Sequence, residues 1–282
     1  MPELPDLEYV AGVLRERAVG RAIAAVMVGD PTVLRLMIEA PLPALLVGQP
    51  IAAAERRGHF LRFAIGTDVV LVVNAMLVGR FFLEAGKARK RAGTALVLEL
   101  EGGARLSYVD DRRMGKVYVA RPADEARIPA YGALGLDVMS PAFSREAFEG
   151  AIARRRDQVR QFLMDKTALA SIGNAYADEI LFAARLHPKT FCGKLGAEDR
   201  GRLYEAIRDV MAGACAEIAR RGGPIDEKVR DFLSVRGRDG EPCSRCGTKI
   251  RAVRVGAGDA CFCPGCQPAT RALFIDWRKV GR

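Results

Sequence analysis

The sequence predicts a multidomain α+β protein: an N-terminal β-sandwich with a leading helix, a helical domain, and a C-terminal zinc ribbon held by four cysteines. Three observations lead to this fold class. Short apolar runs alternate with turns up to about residue 135, whereas apolar residues recur at helical spacing between about residues 140 and 222. Five of the seven cysteines lie within 24 residues near the C-terminus. The expected boundaries are 1–135, 136–236 and 237–270, with a tail over 271–282.

The first domain is expected to open with a helix and continue as strands. Pro5 suits the first turn of a helix because its missing N–H would have no partner there, and Asp6 complements the positive end of the helix dipole. Four apolar residues share one face at helical spacing: Leu7, Val10, Ala11 and Leu14. The apolar runs 69–73 and 95–100 predict buried strands.

The middle of the chain is expected to be helical. Apolar residues at helical spacing predict four segments, at 144–154, 156–165, 174–185 and 197–221. Gly173 and Pro188 interrupt the pattern, because glycine favours helix ends and proline cannot continue a helix. A Gly- and Arg-rich stretch at 220–224 then predicts a connection to the cysteine cluster.

The cysteine cluster predicts one structural zinc ion. Cys243 and Cys246 form one Cys-x2-Cys pair, and Cys263 and Cys266 form a second pair after sixteen intervening residues. Each pair can present two thiolates on a tight turn, so that two pairs complete a tetrahedral site. Such a closed site stabilises a fold and leaves no open position for chemistry. Cys261 lacks this spacing and is interpreted as a buried or exposed thiol outside the site.

The overall charge allows a polyanion as partner. Lys and Arg outnumber Asp and Glu by 44 to 34, which gives a net charge of +10. Each phosphate that a basic protein neutralises releases counterions, although a protein that is merely basic is an equally good interpretation. No apolar stretch approaches the roughly 20 residues of a membrane helix, and the acidic start Met1–Asp6 is unlike a signal peptide. We therefore expect a cytoplasmic protein, not membrane-bound, and a monomer.

Three blocks of sequence resemble the formamidopyrimidine-DNA glycosylase / endonuclease VIII family of DNA-repair enzymes. They are the opening Met1–Glu8, the helical segments Phe162–Asp165 and Ser171–Glu179, and the cysteine segments Gly240–Gly247 and Cys263–Gln267. The blocks follow the family's order and span nearly the whole chain. The resemblance implies a helix–two-turn–helix domain in the middle. It also implies a nucleoid-associated glycosylase and AP lyase whose partner is double-stranded DNA with damaged bases or abasic sites.

Pro2, Glu3 and Asp6 are the catalytic candidates that this resemblance implies. Once Met1 is removed, Pro2 carries a secondary amine whose pKa lies near the roughly 7.7–8.0 of an α-amino group, and a helix N-terminus lowers it. The unprotonated amine can attack C1′ of a deoxyribose and form a Schiff base, while Glu3 can donate a proton to the sugar. Asp6 stands where the family usually has Glu. In isolation, Pro2 would only permit Met1 removal and Glu3 would only cap a helix.

Five further residues are candidate DNA contacts by the same resemblance. Asn174 and Arg160 correspond to residues that grip the DNA backbone, and an amide at a helix start is a good phosphate donor. Met76 corresponds to a side chain inserted into the gap left by an extruded nucleotide, and Arg112 corresponds to an arginine that meets the orphaned base opposite. Met114 stands where many members have Phe, and it can wedge between bases without aromatic stacking. By local pattern alone, Asn174 is a helix cap and Met76 a core methionine.

Two positions depart from the family by losing a positive charge. His59 stands where the family has a phosphate-binding lysine, and an imidazole is fully charged only below about pH 6.5. His59 remains a candidate DNA contact because a neutral imidazole still donates one hydrogen bond. Gly258 occupies the turn position where the family has a phosphate-binding arginine. Candidate substitutes for the lost cations are Arg238, Arg251 and Arg254.

The connection between Gly223 and Cys243 is a further departure. Its nineteen residues are fewer than guanine-specific members usually carry, which favours an open base pocket and oxidised pyrimidines or ring-opened lesions. The lost charges leave a second hypothesis open, a protein that binds abasic or distorted DNA without chemistry. A third hypothesis, a zinc-ribbon transcription factor, predicts sequence-specific binding and no covalent adduct.

Overall fold

A computed structural model describes residues 2–86, 91–256 and 258–269, so the expected tail over 271–282 lies outside the described residues. The chain divides into two compact units. The N-terminal unit comprises Met1–Leu134 and Ala214–Val229, and the C-terminal unit comprises Gly135–Gly213 and Arg230–Arg282. No helix in the described ranges combines the length and the apolar character needed to span a membrane.

The N-terminal unit begins with helix α1 (Leu4–Arg17), as the sequence predicts. The predicted apolar face of α1 is buried, and Pro5 lies in its first turn. The elements that follow are β1 (Ile23–Val28), β2 (Leu34–Leu36), α2 (Leu42–Leu46), β3 (Ile51–Arg57), β4 (Phe60–Ile65), β5 (Val69–Asn74), β6 (Arg80–Ala85), β7 (Thr94–Leu100), β8 (Ala104–Val109) and β9 (Lys116–Ala120). The two apolar runs of the sequence form β5 and β7.

The strands of this unit form a β-sandwich. One sheet has the order β2-β9-β5-β4-β3, and the other has the order β1-β7-β8-β6. Strand β2 runs parallel to β9, and the other neighbours are antiparallel. A single apolar cluster joins Phe63 and Leu71 of the first sheet to Leu98 and Leu106 of the second, together with the buried face of α1. The predicted sandwich with a leading helix is therefore confirmed.

The C-terminal unit contains helices and a cysteine-rich hairpin. Helices α3 (Arg145–Ile152), α4 (Val159–Met164), α5 (Asn174–Ala183) and α6 (Ala197–Arg221) each lie within one of the four predicted segments. The last turns of α6, from Ala214 onward, belong to the N-terminal unit. Strands β10 (Arg251–Val255) and β11 (Gly258–Phe262) pair antiparallel and connect the two cysteine pairs.

Candidate active site

The start of α1 places two carboxylates beside Pro2. Asp6 Oδ2 accepts the backbone N–H of Glu3 at 2.8 Å, and the Glu3 side chain faces the backbone N–H of Asp6, which completes a capping box. Glu3 and Asp6 are only 7% and 6% exposed, whereas Pro2 is half-buried. The shorter Asp6 therefore still reaches the backbone of Glu3. This arrangement leaves Pro2 partly exposed and fixes the backbone of Glu3, the residue that follows it.

Strand register brings three loops to one end of the five-stranded sheet. Asn74 at the end of β5 pairs with Phe60 of β4 on one side and with Lys116 of β9 on the other. His59 directly precedes Phe60, and Met76 follows Asn74 by two residues. The loop that ends at Lys116 carries Arg112 and Met114. His59, Met76 and the loop with Arg112 and Met114 therefore lie side by side at this end of the sheet, although up to 55 residues separate them in the sequence.

Met76 lies on a tight turn and not in the core. Its φ is +47°, in the left-handed region that L-residues rarely adopt. The turn is closed by the Met76 N–H, which donates to Asn74 Oδ1 at 3.0 Å, and by the Gly79 N–H, which donates to the Ala75 carbonyl at 2.9 Å. Met76 is half-buried, and its neighbour Leu77 is 47% exposed. A strained backbone conformation of this kind persists only where the surrounding contacts hold the residue in place.

Asp110 holds the loop that carries Arg112 and Met114. Its carboxylate, 2% exposed, accepts the backbone N–H groups of Arg112 at 3.1 Å and Gly115 at 2.6 Å, as well as the Tyr108 hydroxyl at 3.4 Å. Arg112 is exposed and Met114 is half-buried. The loop backbone is thus fixed from inside, while the two side chains remain at the surface.

His59 lies in the turn between β3 and β4, and this turn is tied to α1. Gly58 has a φ of +58°, which glycine adopts at little energetic cost. Arg56 donates from Nε to Glu8 Oε2 at 2.7 Å and from Nη1 to the Gly58 carbonyl at 3.2 Å. The His59 ring lies 4.3 Å from the Phe60 ring, centroid to centroid. His59 is therefore held near the helix that begins beside Pro2.

The short connection after α6 returns to α1 within the N-terminal unit. Tyr9 donates its hydroxyl proton to the Gly223 carbonyl at 2.7 Å, and Ile225 packs against the sandwich core. Residues 225–228 then line a cavity of about 20 Å³ together with Pro2 and Asp6. The shortened segment thus forms part of the wall beside Pro2.

Arg160 is buried in the C-terminal unit and positions Asn174, the candidate contact to the DNA backbone. It is 2% exposed, and its Nε donates to Asp178 Oδ1 at 2.8 Å. Its Nη2 donates to Asn174 Oδ1 at 2.9 Å and to the Asp259 carbonyl at 3.1 Å. Because the oxygen of the Asn174 amide accepts from Arg160, its NH₂ group is left to donate elsewhere. Arg160 therefore orients Asn174 as well as lying beside it.

Asp178 and Glu179 carry contacts that the sequence analysis missed. Asp178 Oδ2 accepts from Arg236 Nη1 at 2.9 Å and from the Cys261 N–H at 3.0 Å, which joins α5 to the hairpin. Glu179 accepts the backbone N–H groups of residues 234–236 at 2.8 to 2.9 Å. Burial raises the pKa of the Glu179 carboxyl, although these three hydrogen bonds act to lower it. Two adjacent acids within an otherwise apolar helix were the available signal, because buried acids require partners.

The four predicted cysteines form the zinc site. Their Sγ atoms all lie within 4.8 Å of one another. The Cys243–Cys266 and Cys246–Cys263 Sγ distances are 3.9 Å and 3.4 Å, which fits the spacing of about 3.8 Å that tetrahedral Zn–S bonds of about 2.3 Å require. Cys261 lies outside this cluster and is buried in the small apolar core beneath it.

Three family models match the chain in order. They are the formamidopyrimidine-DNA glycosylase N-terminal domain at residues 1–117, the H2TH domain of the same enzyme at residues 134–222, and the zinc finger found in FPG and IleRS at residues 240–269. The formamidopyrimidine-DNA glycosylase of Symbiobacterium thermophilum is 33% identical over 99% of this chain and 93% of its own length. The chain belongs to the formamidopyrimidine-DNA glycosylase family.

Other family members agree along the whole length. The formamidopyrimidine-DNA glycosylase of Moorella thermoacetica is 36% identical, over 90% of this chain and 95% of its own. Among solved structures, Lactococcus lactis Fpg bound to DNA with an abasic site has a TM-score of 0.85 at 26% identity, covering 95% of this chain and 100% of its own. The same enzyme bound to DNA with an oxidised pyrimidine has a TM-score of 0.85 at 27% identity, with the same coverage. With the matching zinc-finger model, the four-cysteine cluster is identified as the site of one structural zinc ion.

Proposed function

We propose that this protein is a base-excision repair DNA glycosylase with AP lyase activity, in which the N-terminal amine of Pro2 attacks C1′ of a damaged nucleotide. The observation that carries this proposal is the position of Pro2, half-buried two residues before α1 begins at Leu4 and beside the buried carboxylates of Glu3 and Asp6. The proposed substrate is double-stranded DNA with damaged bases or abasic sites. The DNA complexes of the related Lactococcus lactis Fpg support this choice.

The residues at the start of α1 divide the chemistry between them. Attack by the Pro2 amine at C1′ forms the N–C1′ bond and displaces the damaged base, and the C1′–O4′ bond then breaks to open the sugar ring and give the Schiff base. Glu3 donates a proton to the sugar ring oxygen, and a later elimination at the Schiff base cuts the strand. Asp6 acts as a positioning residue, because it accepts the Glu3 N–H and so fixes the backbone that carries the acid.

The remaining candidates hold the DNA. Met76, Arg112 and Met114 occupy the space of the extruded nucleotide, which their surface positions on two fixed loops permit. Asn174 contributes its NH₂ group to a backbone phosphate, with Arg160 behind it, and His59 contributes one further hydrogen bond. Zinc stabilises the ribbon and takes no part in the reaction.

The short wall beside Pro2 favours particular lesions. Because residues 225–228 run along α1 and no long loop precedes Cys243, we assign oxidised pyrimidines and ring-opened bases as the preferred substrates. The bacterial relatives support action in the cytoplasm, on nucleoid DNA.

Borohydride trapping on a duplex with one abasic site tests the enzymatic proposal. The wild type, with intact mass confirming that Met1 is gone, is expected to give a covalent protein–DNA band, and Pro2→Ala a much weaker one, because it leaves a primary amine without the proline ring at residue 2. Pro5→Ala is the matched control, since Pro5 lies within α1, and it should keep the band. A wild type that binds this DNA but gives no band would replace the enzyme with a non-catalytic binder of abasic DNA.

A further inference from the structure

A cavity of about 320 Å³ lies beside Arg160 and Asn174, the candidate DNA-backbone contacts of the C-terminal unit. It lies between α4, the first residue of α5 and residues 255, 256 and 258 of the hairpin. Its polar walls are formed by Arg160, Gln161 and Asn174, and its opposite wall by Gly256 and Gly258. Asp165 also lines the cavity, but its carboxylate is engaged by Arg155 at 2.8 Å and by the Thr167 hydroxyl at 2.7 Å. The groups left to receive a ligand are therefore mainly donors.

Beside Val255, two glycines of the hairpin line the cavity. A Cβ at Gly256 would lie 3.2 Å from Gln161 Nε2, and a Cβ at Gly258 would lie 3.6 Å from Asn174 Oδ1. Each glycine thus faces one side-chain amide of the opposite wall. Because neither glycine carries a side chain, a ligand can approach both amides closely from this direction.

Both amide oxygens accept hydrogen bonds within the protein, which leaves the two NH₂ groups as the donors for a ligand. Gln161 Oε1 accepts the backbone N–H of Gln158 at 3.3 Å, as part of the capping box of α4. Asn174 Oδ1 accepts from Arg160 at 2.9 Å. With each oxygen engaged, each amide keeps two N–H donors, and no acceptor for those of Gln161 occurs among the described residues. The buried charge of Arg160 is balanced by Asp178, which leaves the amides as the main donors.

We propose that Gln161 is a DNA-contact residue, whose NH₂ group binds, together with that of Asn174, one backbone phosphate of the DNA in this cavity. The proposal rests on the proposed function for the identity of the ligand. Neutral donors replace a cation here: they supply hydrogen bonds to phosphate, but they add no charge that would release further counterions. The contact therefore strengthens binding without steepening its salt dependence.

Equilibrium binding to a duplex with one tetrahydrofuran abasic analogue tests this contact. Gln161→Leu is expected to bind about tenfold more weakly, in line with the loss of one hydrogen bond to a charged group. The slope of log K against log salt concentration should stay unchanged. Gln158→Ala is the matched control, because it breaks the same capping box without removing the donor, and it should keep wild-type affinity. Wild-type affinity in Gln161→Leu, or an equal loss in Gln158→Ala, overturns the proposal.

A second variant tests whether the cavity is the site. Gly258→Arg places a cation beside Asn174, so it should tighten binding and steepen the slope by about 0.9. Since the arginine occupies the same space, Gln161→Leu should lose most of its effect in that background, and additive effects would contradict a shared phosphate. These binding measurements need no chemistry. A wild type without a trapped adduct defeats the enzymatic proposal alone, whereas wild-type binding by Gln161→Leu defeats only the contact.

Discussion

The two units hold their candidate residues by different physical means. In the N-terminal unit, Met76 and Arg112 lie on turns whose backbones are fixed by buried or half-buried acceptors, while their own side chains remain at the surface. In the C-terminal unit, Asn174 is oriented by Arg160, which is 2% exposed and paired with a fully buried Asp178. One site is built from loop geometry, and the other from buried charge and a metal.

Because of this difference, substitutions in the two units should affect the stability of the fold and the contacts with DNA to different extents. A buried ion pair or a zinc ion is integral to the fold, so its removal should unfold the unit before it alters any single contact. A surface side chain on a fixed turn can be replaced with little effect on the fold. Loss of the buried ion pair or of the zinc should therefore lower stability and affinity together, whereas loss of a loop side chain in the N-terminal unit should lower activity more than stability.

Removing zinc should have the largest effect. Structural zinc contributes apparent binding free energies of about 10–16 kcal/mol in small zinc-binding peptides, and this energy is available for folding. Cys243→Ser, or chelation of the wild type, should therefore abolish DNA binding and lower the thermal midpoint. Cys261→Ser is the control, because Cys261 is buried outside the cluster, and it should keep one zinc per chain by metal analysis. Full zinc content in Cys243→Ser would contradict the assigned ligands.

Breaking the buried ion pair should have the next largest effect. Asp178→Asn keeps the shape of the side chain but leaves Arg160 without its buried counter-charge, which should lower the free energy of unfolding by about 3–5 kcal/mol. Urea unfolding measures the loss. Glu198→Gln removes an acid that is 89% exposed and paired with Arg202, and it should change stability by less than about 1 kcal/mol. Equal effects of the two variants would refute a stabilising role for the buried ion pair.

Met76 offers a test within the N-terminal unit. Because its φ is positive, Met76→Gly should be more stable than Met76→Ala by about 1 kcal/mol, a reversal of the usual order. Both variants remove the side chain, so both should excise damaged bases more slowly than the wild type. Thermal unfolding and single-turnover excision assays measure the two effects separately. If the alanine variant proved the more stable, the strained turn would be absent.

His59→Lys should have the smallest effect. A lysine at this turn adds a charge at pH 7.5, so DNA binding should tighten several-fold and the salt slope should steepen by about 0.9. Stability should change little, because His59 is only half-buried in its turn. Binding at several salt concentrations measures the slope, and an unchanged slope would remove residue 59 from the DNA contacts.

Local patterns in the sequence predicted most of the secondary structure and the metal site. The helical spacing of Leu7, Val10 and Leu14 predicted α1, and two Cys-x2-Cys pairs predicted the zinc ligands, because both signals are contained in short segments. The row formed by His59, Met76 and the Arg112 loop depends on strand register, which short segments do not encode. Because short segments do not encode strand register, the local pattern alone predicted that Met76 is a core residue.

Longer-range features were not predictable from the sequence. The role of Asp178 depends on Arg160 and Arg236, which lie 18 and 58 residues away. The cavity at Gly258 appeared in the sequence only as a lost arginine. The donor that faces it, Gln161, belongs to another element and carries no charge to mark it. Both features arise from packing between elements.

Mapping the trapped adduct tests the central claim most directly. After borohydride reduction, nuclease digestion and trypsin cleavage, the account predicts that the mass of the sugar remnant lies on the N-terminal peptide 2–15, at residue 2. Lys228 supplies a rival amine, since it lines the same cavity as Pro2. An adduct on Lys228, or on any other lysine, would contradict Pro2 as the nucleophile.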